Sequence, residues 1–490
     1  MLESHGYRLG SIDVILSDGK IYNMKGIVSE FTIYESIDSP SVRAEFLVAD
    51  ATDFITSLYG NETVQLELST DSAPGVGYKM VHKIYKIGSN IKSERMQMYV
   101  LHTVSDEAVK NETNRVFKTF KGKASETVKS ILKDNLQTNK NVIIEETQSS
   151  FPFISPSWRP FDVISYLTDK CARVGKDKIQ SSFMFFENRD GIHFETIDHL
   201  IEKSKNMTPQ GNVVKGLLTG DQQKAQMKKF TYAQKNVGSP GNNYYNIQRI
   251  TYPDKYDVIN NLRTGVLGNS IIGIDLHSFN ESALPATSST SKTADGKPNG
   301  PGGGDYFIAS KSADSYWKEF EHVDKNNPFA VTAKTLSPGK GHRKRLKFIA
   351  GSGFAESSQS SSATVTPNLQ TANAASKNPK TNISSLTQGT TNKGGAAEQP
   401  KQILESALYS LMRYQAINLI KLNIVVPGNV GVTVGDVIEV LLPAANESGK
   451  SLPAESTYSG YYLVLGVVHI WRPEGVTTSL DIGRDSVKDY

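Results

Sequence analysis

The clearest pattern in the chain is the spacing of apolar and polar residues in its last segment, from Gln415 to Asp485. Within Val476–Gly483, Thr478, Leu480 and Ile482 alternate with Thr477, Ser479 and Asp481, which is the period of a half-buried strand. Tyr461–Trp471 is apolar on both faces, so other parts of the protein must cover it from both sides. With Leu419–Val426 and Val432–Leu442, these strands predict a small antiparallel β-barrel.

The N-terminal part of the chain, residues 1–118, has the same character. Asp18-Gly19 is a strong hairpin signal, and Gly88-Ser89-Asn90 predicts a second turn. Five to seven short strands at this spacing are typical of an antiparallel barrel or sandwich, so we predict an all-β first domain. The segments that carry the pattern are Ser11–Leu16, Val42–Val48, Val64–Leu68, Val81–Ile87 and Met96–Thr103.

Helical periodicity appears at about Lys121, and residues 119–205 predict an α+β platform domain. Ser125 is a suitable N-cap for a first helix, whose apolar face carries Val128 to Leu136. Pro160 suits the first turn of a second helix, which we expect to end at Gly175 with Cys171 on its apolar side. The predicted strands of this domain are Asn141–Glu145 and a hairpin of Ser182–Glu187 with Ile192–Ile197.

Residues 206–284 predict a connection followed by the first strands of a second barrel. Tyr244–Tyr252 and Ser270–Phe279 supply these strands, around a loop at Asn260-Asn261, and Met227–Tyr232 is a short strand within the connection. Residues 285–400 predict a flexible insertion, because their low-complexity linkers cannot bury enough apolar surface to fold. Residues 401–490 return the chain through a helix, Gln402–Tyr414, to the rest of the second barrel.

The predicted fold class is therefore mainly β with an α+β platform, and its second small barrel is interrupted by the insertion. A chain of 490 residues is long enough for several domains. Its net charge of +4 argues against a dedicated nucleic-acid binder. Cys171 is the single cysteine, which excludes an intrachain disulfide. We see no secretory signal and no run of about 18 apolar residues, so we expect a soluble protein made in the cytosol.

The histidines and the cysteine do not predict an active site. His193 and His199 flank the end of a strand at a spacing that matches no helical metal motif, so a structural role is favoured. Cys171 is expected to be a buried and inert thiol. His469 lies in an apolar strand and is expected to be a core or interface histidine with its hydrogen bonds satisfied.

The remaining candidates also favour structural roles. Gly300–Gly304 is rich in glycine, but no strand precedes it and no Lys-Ser/Thr pair follows, so it predicts a linker instead of a phosphate loop. Lys340–Lys347 is a basic cluster, and a solvated loop is favoured over contact with nucleic acid. Glu3 and Glu62 show no partner for a hydrolase dyad. We predict no catalytic, cofactor-binding or metal-ligating residue, and no cofactor.

Several segments resemble the baseplate hub proteins of contractile-tailed bacteriophages, a family shared with type VI spikes and phage late-control proteins. The resemblance covers about three-quarters of the chain and depends on order and spacing as much as on any single motif. It departs from the family in the long insertion. The segments that carry it are Phe151–Leu167, Ala172–Lys178, the Phe183–Thr196 hairpin, Pro427-Gly428, Gly435–Ile438, Gly460–Val464, Val468-His469 and Thr477–Leu480.

The resemblance implies a homotrimer in which each subunit contributes two small barrels, so that six barrels form a ring. This ring would stack on the sixfold tail tube or a tube-initiator protein, and the threefold face would receive the central spike protein. Other implied partners are baseplate wedge proteins, and DNA would only pass through the channel; no membrane insertion is implied. The implied location is the virion tail baseplate, after synthesis in the host cytoplasm. Lys340–Lys347 should then face outward, toward the wedge proteins, because a positive channel wall would trap phosphates.

Two alternatives stay open at the level of sequence. The first is the hub of a bacterial contractile injection system, because that machine uses the same family. Since no spike-like β-helix or lysozyme module follows the second barrel, we expect the phage arrangement, in which hub and spike are separate chains. The second is a tail-associated cell-wall hydrolase, which would require a catalytic dyad or metal set that the sequence does not display.

Overall fold

The fold is described by a computed structural model of the chain that covers residues 6–73, 75–93, 96–148, 150–174, 180–205, 208–209, 226–232, 245–253, 258–264, 268–275, 306–312, 343–349, 398–442 and 458–485. Two compact units are present. The first comprises Met1–Asn269, Lys311–Arg343 and Ser406–Tyr490, and the second comprises Ser270–Ser310 and Lys344–Glu405. Residues 279–305 and 355–397, for which the sequence predicts flexibility, lie outside the described residues.

The N-terminal part forms an antiparallel sheet, here called the first β region. Its strands are β1 (Tyr7–Ile15), β2 (Ile21–Asn23), β3 (Val28–Ser36), β4 (Arg43–Asp50), β5 (Thr63–Thr70), β6 (Gly77–Lys92) and β7 (Gln97–Ser105). They lie in the order β2-β1-β5-β6-β7-β4-β3. The predicted alternation is confirmed in β4, where Ala44, Phe46 and Val48 are buried and their neighbours face outward.

The turn predicted at Gly88-Ser89-Asn90 is wrong, because β6 continues through these residues to Lys92. Ser89 has a positive φ of 51°, and the pairing of β6 with β7 shifts register between Gly88 and Ile91. The turn signal therefore marks a bulge, which absorbs an irregular backbone without ending the strand. The chain reverses beyond Ser93, whose amide donates to the Met96 carbonyl oxygen at 2.9 Å.

The middle of the chain forms the platform, which combines short helices with two small sheets. The elements are α1 (Asp106–Thr113), β8 (Val116–Phe120), α2 (Ala124–Ser130), a π-helical turn (Ile131–Asn135), β9 (Val142–Ile144), β10 (Phe153–Trp158), α3 (Pro160–Leu167), β11 (Phe183–Asn188), β12 (Gly191–Thr196) and α4 (Ile197–Lys205). The predicted hairpin, β11 with β12, is confirmed, and β9 pairs parallel to β12.

Three details of the platform differ from the prediction. The N-cap residue of helix α2 is Lys123 and not Ser125. Ser125 lies inside the helix, and its Oγ lies 3.2 Å from Thr147 Oγ1. Helix α3 ends at Leu167, so Cys171 lies in the segment after the helix. The aromatic segment before Pro160 is a strand, β10, which pairs with β8.

The remaining described strands and two further helices lie in the C-terminal part of the chain. Its elements in chain order are β13 (Thr208–Pro209), β14 (Gln226–Thr231), β15 (Arg249–Thr251), α5 (Val258–Thr264), β16 (Gly268–Asp275), β17 (Tyr306–Ser312), β18 (Arg343–Ile349), α6 (Glu398–Ala416), β19 (Ile420–Pro427), β20 (Val437–Leu441), β21 (Gly460–Arg472) and β22 (Gly475–Arg484). Strands β13, β14, β15, β19, β20, β21 and β22 form the second β region, in the first unit. The other three strands form a separate sheet in the order β17-β16-β18.

Two predictions for this part are corrected. The strand predicted from Ser270 is β16, which belongs to the separate sheet and does not join the second β region. Asn260-Asn261 lies in helix α5 and not in a loop. The prediction of β22 from its alternation is confirmed, because Thr478, Leu480 and Ile482 are buried.

Strand β21 joins the two β regions into one 14-stranded sheet. Along one edge it pairs first with β20, from Gly460 to Leu463, and then with β3, from Gly466 to Trp471. Its other edge pairs with β22 over most of its length. Both faces of β21 are covered at Tyr462, Leu463 and Val464, which are buried, whereas Val468 and Ile470 on one face are only half-buried. The predicted mainly β fold class is confirmed. The strands form large antiparallel sheets, and no closed barrel is found in the described part of the chain.

Three hydrophobic clusters correspond to these parts. One lies in the first β region around Phe31, Phe46 and Tyr99, and another lies in the platform around Phe161 and Phe194. The third fills the second β region and also takes in Phe186, Ile197 and Leu200 from the platform. The platform is therefore packed onto the second β region by shared apolar contacts.

Candidate functional site

The two β regions and the platform meet at one set of buried polar groups, which we call the junction: Glu35, Tyr78, Arg189 and the segment Gly428–Val434. Glu35 lies in β3 opposite Val467 of β21, within the strand pair that joins the two β regions. Its side chain is buried. The junction is the best-defined polar site of the described residues, and its elements come from all three parts of the fold.

The Glu35 carboxylate accepts hydrogen bonds from each of those parts. Oε1 accepts from the Tyr78 hydroxyl of β6 at 2.7 Å and from the Arg189 amide, in the turn between β11 and β12, at 3.0 Å. Oε2 accepts from the Val434 amide, in the loop before β20, at 3.3 Å. One side chain therefore links the first β region, the platform and the second β region.

The electrostatics of Glu35 are a balance between burial and hydrogen bonding. Burial raises its pKa to about 7, against the opposing effects of the Tyr78 hydroxyl, the two amides and the positive charge of Arg189. Burial and the nearby carboxylate together raise the pKa of Tyr78 well above its usual value, so the phenol stays a donor. No lysine or arginine of the described residues lies within ion-pair distance of Glu35.

Arg189 directs its charge to other groups of the junction. Its Nη2 lies 3.0 Å from Asp190 Oδ2, and its Nη1 donates to the Val430 carbonyl oxygen. The neighbouring Asn188 donates from Nδ2 to the Val434 carbonyl oxygen at 2.9 Å. The hairpin turn of the platform thus holds both ends of the Val430–Val434 segment.

The first β region holds the same segment from its other side. Thr70 Oγ1 accepts from the Val430 amide at 3.2 Å, and the Ser72 hydroxyl donates to the Gly428 carbonyl oxygen at 2.6 Å. Because these groups are buried, leaving any of them without a partner would cost about 1–3 kcal/mol. The Gly428–Val434 segment is thus held by hydrogen bonds from both the first β region and the platform.

A second polar link connects the platform to the first β region. Glu187 Oε2 accepts from the Val42 amide at 3.2 Å. Lys140 neutralises Glu187 and also contacts Glu107 at 2.6 Å. Glu107, Lys140 and Glu187 form one charged network, which fixes the position of the platform relative to the first β region.

The sequence candidates are found in structural positions. His469 is buried, its Nδ1 contacts Thr478 Oγ1 at 3.0 Å, and its ring packs edge-on to Tyr78 at 5.7 Å. Its Nε2 has no hydrogen-bond partner among the described residues, so the prediction that its hydrogen bonds are satisfied is wrong for that atom. Burial lowers its pKa to about 3, so the ring is neutral. His193 lies between Glu195 at 2.8 Å and Asn188 at 3.0 Å, and His199 contacts Glu195 at 3.4 Å.

Cys171 is buried, and burial raises its pKa well above the usual value, as expected for an inert thiol. Glu62 is also buried and accepts the amides of Tyr59 and Gly60 at 2.8 and 3.0 Å, which closes a turn. Glu3, Gly300–Gly304 and Lys340 lie outside the described residues, whereas the rest of the basic cluster belongs to strand β18 and is not a loop.

Within the described ranges, no group of three His, Cys, Asp or Glu side chains is arranged to hold a metal ion. The structure does not bring Cys171 together with His193 or His469 as a nucleophile and base. In the same ranges, no helix has both the length and the apolar character needed to cross a membrane. Sequence reasoning missed Glu35 and Arg189, since their partners are remote in the sequence and neither residue belongs to a motif.

Similarity of the chain to known proteins is found among solved structures. No protein-family model and no curated protein sequence matches it. Among solved structures, it is similar to a tail protein from Neisseria meningitidis MC58, with 10% identity, coverage of 99% of this chain and 98% of that one, and a TM-score of 0.47.

It is similar to the 43 kDa tail protein of prophage MuSo2 from Shewanella oneidensis, with 10% identity, coverage of 99% and 100%, and a TM-score of 0.46. An E. coli component of the type VI secretion system matches at 8% identity, with coverage of 99% and 79% and a TM-score of 0.38. These structural neighbours are tail and type VI secretion proteins.

Proposed function

We propose that the chain is the structural hub of a phage tail baseplate. In this role it is a trimeric adaptor that joins the sixfold tail tube to the threefold central spike and forms part of the channel for DNA. Its role is mechanical. The free energy of assembly comes from surface buried between subunits, and no covalent bond is made or broken. The proposal rests on the sequence resemblance together with one structural observation.

That observation is the pair of β regions within one chain. Each has its own hydrophobic cluster, and β21 joins them edge to edge in a single sheet. Three copies of such a chain supply six β units around one axis, which is the number needed to match a sixfold tube. Contacts between copies close into such a ring when the rotation from one copy to the next is one third of a turn.

The junction supports the same proposal. A hub that transmits load must keep its two β units in a fixed relation. Glu35, Arg189 and the Gly428–Val434 segment tie these units to each other and to the platform through hydrogen bonds that are buried from water. We assign the two β regions to the two tube-facing units. The platform, predicted as residues 119–205, is assigned from α1 (Asp106–Thr113) to α4, because β8 (Val116–Phe120) pairs with β10.

The test is the mass of the purified full-length chain in solution, measured by light scattering, followed by class averages from electron microscopy. We expect three times 53.7 kDa and a ring with six β units. If the spike is needed to hold the ring together, the trimer forms on adding the candidate spike protein. A chain that stays monomeric with the spike present contradicts the proposal.

The two alternatives give different results. A hub of a bacterial contractile injection system also forms a trimer, but it binds the spike of that system and not a phage spike in a pull-down. A tail-associated cell-wall hydrolase clears peptidoglycan when the purified protein is added to cell walls. We expect no clearing, and we expect the protein in the virion tail baseplate, in contact with tube, wedge and spike proteins.

A further inference from the structure

One of the two small sheets of the platform consists, among the described residues, of β8 and β10 alone. The two strands are antiparallel, with Phe120 opposite Phe153 at one end and Phe117 opposite Pro156 near the other. A pair of strands is only marginally stable by itself, and each strand keeps one edge without a strand partner. Such an edge is a template on which a further strand can pair.

The hydrogen bonds of this sheet decide which backbone groups face its edges. The Phe151 amide donates to the Gly122 carbonyl oxygen at 3.0 Å, in the same register as the strand pair. Because hydrogen-bonded and non-hydrogen-bonded pairs alternate in an antiparallel sheet, Phe117 and Thr119 belong to non-hydrogen-bonded pairs. Their amide and carbonyl groups therefore point away from β10, and no other described residue forms a hydrogen bond with them on that side.

The two edges of the sheet differ in what they can bind. The outward-facing positions of β10 include Pro156, and Pro152 lies at the equivalent position just before the strand. Proline has no N–H group and protects a sheet edge from pairing. A register shift between Pro156 and Trp158, with a φ of +63° at Ser157, interrupts the same edge. Strand β8 contains no proline, so its edge is the one that can accept a strand.

The side chains of β8 indicate the chemistry of the partner. Phe117, Lys118 and Thr119 are all exposed, and the exposed fraction of Phe117 is 81%. Successive side chains point to opposite faces of the sheet, and neighbours on adjacent strands contact each other. A strand beside β8 would therefore cover the Phe117 ring with an apolar residue and place its next side chain beside Lys118.

The charge around β8 is positive. Residues 115–123 contain four lysine or arginine residues and no carboxylate. Arg115 donates to the carbonyl oxygens of Glu112 and Asn114, at 3.0 and 2.9 Å. In the described part of the chain, neither Arg115 nor Lys118 forms an ion pair. Their charges are available to a partner, and they complement an acidic one.

We propose that the free edge of β8 binds an extended acidic segment of a partner protein, which joins the platform sheet as a third strand. The backbone of the segment pairs with Phe117 and Thr119, and a carboxylate lies beside Lys118. Backbone hydrogen bonds supply affinity in this mode of binding, and the alternating side chains supply specificity. The β8 edge is separate from the junction, and the proposal stands independently of the proposed function.

The test uses the full-length protein and a synthetic peptide of alternating valine and glutamate with blocked ends. Hydrogen exchange is followed in the segment that contains β8. We expect the peptide, at millimolar concentration, to slow exchange of the Phe117 and Thr119 amides. The same peptide with lysine in place of glutamate should bind roughly fivefold more weakly. A glutamate peptide with methylated backbone amides should give no protection, because it cannot pair as a strand.

The variants locate the binding edge. Thr119→Pro removes an outward amide from β8 and should weaken binding of the glutamate peptide roughly tenfold. Ile154→Pro is the matched control, because Ile154 lies opposite Thr119 and faces the other edge of the sheet. It should bind the peptide as the wild type does. If Thr119→Pro does not fold, Lys118→Glu replaces it, and it should reverse the preference between the glutamate and lysine peptides.

Four results would overturn the proposal. They are an equal loss of binding in the two proline variants, an unchanged preference in Lys118→Glu, a wild type that prefers the lysine peptide, and no protection of β8 by any peptide. Protection of β8 that rises with protein concentration, without peptide, would assign the edge to a second copy of the chain and would overturn it as well.

Discussion

Arg413 Nε donates a hydrogen bond to Asp198 Oδ1 at 2.9 Å, and both side chains are buried. Arg413 also pairs with Asp485, just beyond β22, and the Tyr409 hydroxyl donates to Asp198 Oδ2 at 2.8 Å. The end of helix α6 is thereby tied to helix α4 of the platform and to the last strand of the second β region. A single arginine thus fixes where the chain re-enters the second β region.

Replacement of Arg413 should destabilise the fold strongly. Arg413→Met leaves the carboxylates of Asp198 and Asp485 buried without their cation, so we expect a loss of about 3–5 kcal/mol in the free energy of unfolding. Chemical denaturation measures it. The control is Arg472→Met, which breaks an exposed pair with Glu30 and should cost no more than about 1 kcal/mol. Equal losses in the two variants would show that Arg413 is not a buried anchor.

The buried histidines predict a loss of stability in acid. Burial lowers the pKa of His469 and of His82 from 6.5 to about 3, so the unfolded chain binds protons that the folded chain rejects. The stability contributed by the two neutral histidines is fully present above pH 6.5 and is lost between pH 6.5 and 3, by roughly 5 kcal/mol per histidine at the lower end.

The measurement is the free energy of unfolding as a function of pH. His469→Gln should lose less stability between pH 6.5 and 4 than the wild type. Glu35 acts with the opposite sign, because its raised pKa adds stability as the pH falls from 7 to 4.5. A His469→Gln curve parallel to that of the wild type would contradict the assignment.

Gly191 is required by its backbone and by its surroundings. Its φ is +141°, and a Cβ would lie 2.1 Å from the Asn141 carbonyl oxygen. We expect Gly191→Ala to cost at least about 1–3 kcal/mol, through strain and displacement of β9. Gly26→Ala has open space around it and should change stability by less than about 0.5 kcal/mol. Thermal unfolding of the two variants checks this difference.

Cys171 should be protected from thiol reagents in the folded protein. Its side chain is buried, lies 3.1 Å from the Leu167 carbonyl oxygen and has a raised pKa, so the reactive thiolate is absent at pH 8. We expect no reaction under native conditions and one thiol per chain after unfolding in guanidinium. Rapid native labelling would instead reveal a reactive site.

Phe117 and Phe120 of β8 should differ sharply in their effect on stability. Phe120 is buried and stacks on Phe153 with ring centroids 5.1 Å apart, whereas Phe117 is 81% exposed. We expect about 3–5 kcal/mol of destabilisation from Phe120→Ala and less than about 0.5 kcal/mol from Phe117→Ser. Chemical denaturation of the two variants measures both values, and a large loss in Phe117→Ser would show that this side chain packs within the chain.

The sequence predicts well the elements whose pattern is local. The alternation in β22 and the hairpin around Asp18-Gly19 are both found. Helix α5 is not predicted, because the turn-like Asn260-Asn261 pair conceals a helix. The sequence at the bulge in β6 also resembles a turn. Asparagine and glycine indicate an irregular backbone, but they do not distinguish a turn from a bulge.

The junction could not be predicted, because its partners lie far apart in the sequence. Glu35 and Val434 are separated by 399 positions, and Arg413 and Asp198 by 215. Each charged residue alone has the pattern of a polar position on the outer face of a strand or helix. Tertiary packing turns these positions inward, and the pattern of one segment carries no information about the segment that will cover it.

The pairing of β3 with β21 has a consequence for how the chain folds. The contact between Arg472 and Glu30 spans 442 positions. Strand β3 therefore cannot pair with β21 until residues up to Arg472 have left the ribosome. Until then the edge of β3 exposes unpaired backbone groups that can recruit a strand from another molecule. Because contacts of such long range form slowly, folding at low concentration or with a chaperone holding the N-terminal sheet should raise the yield of native protein.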